Sequence, residues 1–229
     1  MIGIARRGSL AAARQAQLAS GTITFVQEVV QEHATGSTAT PTATLAVNTT
    51  VGNFLILRFT GNASLNSISD SKGNTWQIDN LAHNNLYLAI ASCKLTTALQ
   101  SGDTITANMA ATTSFHGFVA DEWGGLNTST WYGGASTLFS ATSTSRTTNS
   151  IAVGPKNLVI GLWGVGAVET AWTPDSGAGY QSFNTPVLTT AGSWALEGGY
   201  LIDSGSGGAY SPDATGVSHN YNGFAAYYR

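Results

Sequence analysis

Residues 51–77, VGNFLILRFTGNASLNSISDSKGNTWQ, set out a plan that the chain follows a second time from Val153, with Asn157 falling 104 positions after Asn53. Each copy starts with an apolar run, residues 54–57 in the first and 158–163 in the second. Each then reaches a turn built on Asp and Gly that delivers an aromatic residue. The first turn, Asp70-Ser-Lys-Gly-Asn, leads to Trp76, and the second, Pro174-Asp-Ser-Gly-Ala-Gly, leads to Tyr180. The echo continues through the chain. SWALEGGYLI (193–202) follows NNLYLAIASC with Trp194 near Tyr87, and HNYNGFAAYYR (219–229) follows TSFHGFVADEW with Gly223-Phe224 set against Gly117-Phe118. A repeat of this kind is a supersecondary unit that buries its apolar face against its neighbour.

The periodicity predicts strands at 22–30, 42–47, 53–60, 75–79, 85–94, 103–108 and 114–123, punctuated by Gly, Asn, Asp and Ser. The segment DTITANM alternates cleanly, with Ile105, Ala107 and Met109 directed to one side. Residues 124–149 are rich in Gly, Ser and Thr but carry Trp131, Tyr132, Leu138 and Phe139, so they read as ordered loops with one strand near 136–140. The expectation is an all-β, antiparallel β-sandwich, jelly-roll-like, made of two pseudo-repeats (about 22–125 and 126–229) in a single domain spanning 22–229. Two sandwiches of about 100 residues would also fit the pattern. The reading favours one, since no Pro-rich or charged linker separates the halves.

Residues 1–21 are different. Ser9 caps, Ala11 to Ala13 favour and Gly21 ends a short helical arm. Arg6, Arg7 and Arg14 make this segment cationic without a single acid, while the whole chain carries −3. With Leu10 and Leu18 they are the residues expected to anchor the arm on a neighbouring subunit; a frayed tail or a helix packed on its own domain fits the residues equally well. Residues 1–20 lack the apolar core of a secretory signal, and no apolar run reaches membrane-span length.

Composition narrows the surface chemistry. Only 9% of residues are charged, against roughly 25% in ordinary domains, so Ser, Thr, Asn, Gln and Gly must cover the exterior. The acidic balance argues against nucleic acid as a partner. Cys93 is the one cysteine, which excludes an internal disulfide and suits a small buried hydrophobe.

No motif for catalysis stands out. Asp121-Glu122 is the one adjacent acidic pair, and neighbours on a strand face opposite ways. A glycoside hydrolase would need Glu122 with Glu197, or Asp121 with Asp203, brought together by folding. Carboxylates on a solvated face are the simpler expectation. His33, His83, His116 and His219 show no metal-ligand spacing, and His116 and His219, at similar repeat positions, read as exposed strand starts. Asp70 and Asp175 sit in Asx-type turns, too thin in carboxylates for calcium. No cofactor is expected. Most aromatics belong to a core, but Trp131, Tyr132 and Trp172 lie in or near loops, where rings stack on sugars.

Three stretches carry a family resemblance: Thr50-Val-Gly-Asn-Phe-Leu-Ile56, the turn from Ser69 to Trp76, and Glu122-Trp-Gly-Gly125. In this order they resemble a β-sandwich module of bacteriophage virion proteins, of head-decoration or tail-associated adhesin type, and are also similar to bacterial sugar-binding surface modules. The resemblance covers about residues 22–229, more weakly in the second half, and leaves the arm outside. It implies a non-enzymatic structural protein of the virion, made in the host cytoplasm and released by lysis. The partners expected are other virion proteins, further copies of the chain (a trimer by analogy) and host surface glycans, with no membrane. The alternative is a carbohydrate-binding module using Trp131, Tyr132 or Trp172.

Overall fold

The structure, a computed structural model, describes residues 22–33, 36–166, 172–175, 179–190 and 194–229. Among them there is no helix, and all strand pairings are antiparallel. The helical arm expected at 1–21 lies outside the described residues.

One sheet has the order β1 (Thr24–His33), β8 (His116–Gly124), β3 (Phe54–Gly61), β6 (Leu86–Lys94), β5 (Trp76–Asn84). A second runs β10 (Phe139–Thr147), β17 (Asp213–Tyr228), β12 (Leu158–Val165), β15 (Trp194–Ile202), β14 (Gln181–Thr190). Every strand of the second path is the counterpart, nine strands later, of one in the first. Two short strands, β9 (Tyr132–Ala135) and β13 (Thr173–Pro174), also pair with β17. Two small sheets complete the body: β2 (Thr42–Thr44), β7 (Thr104–Met109) and β4 (Leu65–Asp70) in one, β11 (Ile151–Val153) and β16 (Gly208–Tyr210) in the other.

Side-chain alternation shows how these sheets stack. On β3, Leu55, Leu57 and Phe59 join Ile68, Ile105, Cys93 and Phe118 in a core that also draws on the three-stranded sheet. Phe54 and Ile56 point the other way and meet Leu158, Ile160, Leu196 and Phe224 of the second sheet. Behind the second sheet, Val159, Ala225 and Tyr180 pack with Ile151 and Val153 of the small two-stranded sheet. The central strands of the large sheets are therefore buried on both faces, so β3 and β12 read as unbroken apolar runs instead of alternating ones. Burial pushes the Cys93 thiol far above its ordinary value.

The ladders correct one detail of the internal alignment. Phe59 faces Phe118 across β3 and β8, whereas Trp163 faces Gly223 across β12 and β17. With Phe59 and Trp163 equivalent, Gly223 corresponds to Phe118, one position off the Gly-Phe match. A one-residue slip reverses every side chain. Accordingly Phe118 packs in the outer core and Phe224 in the central one. The glycine at 223 is required because the Trp163 indole occupies the space its side chain would take.

Candidate functional site

Two carboxylates organise the three stretches behind the family resemblance, one joining the first to the last and one closing the middle stretch on itself. Glu122, fully buried on β8, accepts from the Thr50 amide at 2.8 Å, Asn53 Nδ2 at 2.7 Å and Gln27 Nε2 at 2.7 Å. It thus ties the last motif to the first and to β1. Asp70 closes the middle motif. Its Oδ1 accepts from the amides of Lys72 and Asn74, and its Oδ2 accepts from Trp76 Nε1 at 2.8 Å. Gly73, at φ 74°, occupies the left-handed turn position. Asn74 carries the link onward, its Oδ1 accepting from the Thr96 and Thr97 amides and the Thr96 hydroxyl.

Asp121, Glu197 and Asp203 are buried too, against the expectation of a solvated face. Asp121 points between the large sheets, where Arg58 Nε and Nη2 reach its Oδ2 at 3.2 and 3.0 Å. The guanidinium lies 3.7 Å from the centre of the Phe183 ring. Burial pushes the Asp121 carboxyl up to about 6; the pull of Arg58 lowers it and Glu28, opposite on β1, adds to the rise. Glu197 lies with Arg146 at 3.4 Å, both fully buried. Asp203 folds the loop before β16, accepting from the amides of Lys156, Gly205 and Gly207 and from the Tyr210 hydroxyl. Asp121, Glu122, Glu197 and Asp203 therefore belong to separate bonding sets, and neither pair considered for glycoside hydrolysis shares a cleft.

One carboxyl pair was not legible in the sequence. Asp213 is hydrogen-bonded to Asp175, and its carboxyl is raised by burial and then by that neighbour. The pair lines a pocket of about 330 Å³ with Thr173 and Thr215. Only the pairing of β13 with β17 brings these turns together. The two carboxyls are in hydrogen-bond contact, closer than the roughly 5 Å spacing of a retaining glycosidase. Among the described residues no group of three or more His, Cys, Asp or Glu could hold a metal ion. Nor does any helix have the length and apolarity to cross a membrane. His116 is buried, not exposed, with Nδ1 3.1 Å from the Thr113 carbonyl and Nε2 3.4 Å from Glu32. His219 lies on β17 opposite Ser143, so the two do not form a shared site.

The loop aromatics occupy structural positions. Trp131 is half-buried, donates from Nε1 to Ser92 Oγ at 2.7 Å and sits 5.2 Å from the Phe54 ring. Its carbonyl accepts from the Arg229 amide, which fixes Arg229 to the segment that packs on Phe54. Tyr132 tilts against Tyr228 at 5.7 Å; burial, then Asp79 and Tyr227, push its hydroxyl up to about 12. Tyr228 in turn donates to Asp79 at 2.8 Å. Beside these rings lies a shallow pocket of about 290 Å³, lined by Gln77, Ser129, Thr130, Trp131 and Tyr132. Trp172 is elsewhere, half-buried against Trp163 at 6.1 Å. Arg6, Arg7, Leu10, Arg14 and Leu18 lie outside the described residues. No protein-family model, no curated protein and no solved structure matches the chain.

Proposed function

We propose that the chain is a non-enzymatic structural protein of a bacteriophage virion, displaying its β-rich body from the head or tail and anchored by residues 1–21. The observation that carries this reading is the bonding of Glu122 and Asp70. The acids of the motifs that resemble the virion module hold strands and turns together, which is what a scaffold motif does. The low charge of the chain suits a particle-borne surface. The finer fold proposal is one antiparallel, jelly-roll-like β-sandwich domain made of two pseudo-repeats, whose large sheets face each other across the central core. Identical strand order in the two large sheets supports it. Its partners are other virion proteins and further copies of the chain.

The test is incorporation into particles with and without residues 1–20. The proposal expects the full chain on purified particles and the shortened chain at clearly lower occupancy. Wild-type occupancy of the shortened chain removes the anchoring role, and absence of the full chain from particles removes the virion reading.

A second reading, glycan binding, is favoured by one observation: Trp131 and Tyr132 line a pocket together with hydroxyl and amide side chains. It is compatible with the first, since a virion protein can bind host-surface sugars.

A further inference from the structure

One groove lies away from every aromatic singled out in the sequence as a glycan platform. It measures about 530 Å³ and sits where the two halves meet. The first half contributes Asn85, between β5 and β6, and the second contributes the end of β12, the start of β15, and facing stretches of β10 and β17.

The lining is chemically uniform. Amides come from Asn85, Asn220 and Asn222, hydroxyls from Ser140 and Thr142, and a half-buried indole from Trp194. No charged side chain lines it among the described residues. Several of these groups are already oriented. The Thr142 hydroxyl donates to Asn220 Oδ1, and the Ser140 hydroxyl donates to Asn222 Oδ1 at 2.8 Å. Asn222 Nδ2 reaches across to the Asn84 carbonyl, which fixes the groove's two sides to each other. The floor is kept low by glycine: a side chain at Gly166 would come within 3.1 Å of the Trp194 ring.

Asn85 adds a second kind of evidence. It holds φ at 67°, one of two non-glycine residues in the left-handed region among those described. Asparagine tolerates that conformation better than most residues, but glycine would hold it at no steric cost. Its amide is exposed and makes no hydrogen bond within the described residues. Asn85 thus presents to the groove an amide that no described protein group occupies.

We infer that this groove binds a neutral oligosaccharide, whose hydroxyls pair with the asparagine amides and whose ring packs on Trp194. An amide offers one acceptor and two donors, which suits adjacent sugar hydroxyls. Aromatic rings suit the apolar face of a pyranose. Among the described residues the lining offers no charged partner to sialic or uronic acids. The inference rests on the glycan-binding reading and moves its site from Trp131 and Tyr132 to Trp194.

The experiment is titration of the full chain with maltotriose, cellotriose, mannotriose, chitotriose, lacto-N-triose and, as the charged control, sialyllactose. Binding is read by calorimetry. Three variants are compared after far-UV circular dichroism and thermal melts show that they fold: Trp194→Ala, Asn85→Gly and Trp131→Ala. Asn85→Gly removes the amide at a position where glycine relieves the backbone, so it is expected to fold even if Trp194→Ala does not. The expected result is binding of at least one neutral trisaccharide, weakened about tenfold by Trp194→Ala. Asn85→Gly should weaken it severalfold, and Trp131→Ala should leave it unchanged. Binding lost with Trp131→Ala but kept with Trp194→Ala and Asn85→Gly overturns the groove and leaves the glycan reading standing. Binding of sialyllactose alone overturns the neutral chemistry. No binding at millimolar sugar overturns both, while the virion reading is decided separately by particle incorporation.

Discussion

Replacing Glu122 by glutamine keeps the side chain's shape and removes its charge. The carboxylate accepts three hydrogen bonds, two on Oε1 and one on Oε2, with no exposure to water. Glutamine has a single acceptor oxygen. If that oxygen faces Thr50 and Asn53, its NH₂ confronts Gln27 Nε2. Gln27 cannot rotate its amide to help, because Nε2 also donates to the Asn48 carbonyl at 2.7 Å. One charge-assisted bond is therefore lost at a half-buried donor, and two others lose charge assistance. Bonds to charged groups are worth about 1.5–3 kcal/mol against roughly 1 for neutral ones. The sum is about 3 kcal/mol. For a chain of this size, that corresponds to a drop in Tm of about 6–12 °C. Differential scanning calorimetry at neutral pH measures it directly. A drop smaller than about 2 °C would mean that Glu122 is not the tie between the motifs, and the scaffold argument would fail with it.

Other consequences are open to measurement. Arg58→Met leaves Asp121 buried beside Glu28 without its guanidinium, at a cost of about 3–5 kcal/mol at pH 7. The folded-state value of Asp121, about 6, lies above its ordinary 3.8, so protonation favours the folded protein and stability from this group rises as pH falls through 6. The Arg58→Met deficit, followed by urea unfolding, should therefore shrink at pH 5, and an unchanged deficit contradicts the assignment. At Asp203 burial raises the carboxyl, but the bonds from Tyr210, Lys156, Gly205 and Gly207 outweigh it and hold the group below its ordinary value. Its stabilisation is present at neutral pH and lost as pH falls below about 4, so Asp203→Asn should flatten acid unfolding there. Residues 22–125 expressed alone would expose Phe54, Ile56, Ile90, Val119 and Trp123. That fragment should self-associate or bind a hydrophobic dye, and a monodisperse, dye-silent monomer would show that the central core is dispensable.

What was legible in the sequence follows from how far apart the partners lie. The Asx turn at Asp70 was readable because its bonds go to Lys72, Asn74 and Trp76, all within six positions. The strands β3, β6, β12 and β15 were readable because burial on both faces leaves little but apolar or small residues. By contrast, β4 reads as a polar bend, since only Leu65 and Ile68 of LNSISD are buried. The strand β10 hides in FSATSTSRT, and β14 contains Pro186; both end the path of the second sheet, where such residues are tolerated. The role of Glu122 was invisible for a different reason. Its donors lie 95, 72 and 69 positions away, and no local pattern announces them. The groove at Trp194 was equally hidden, because Asn85 and Asn222 meet only when both halves are folded.

The measurement that bears most directly on the virion assignment is the solution mass of the purified chain by light scattering, with and without residues 1–20. The proposal predicts a defined oligomer for the full chain and a monomer for the shortened one. Two well-behaved monomers would contradict an assembling arm and leave sugar binding as the function to pursue.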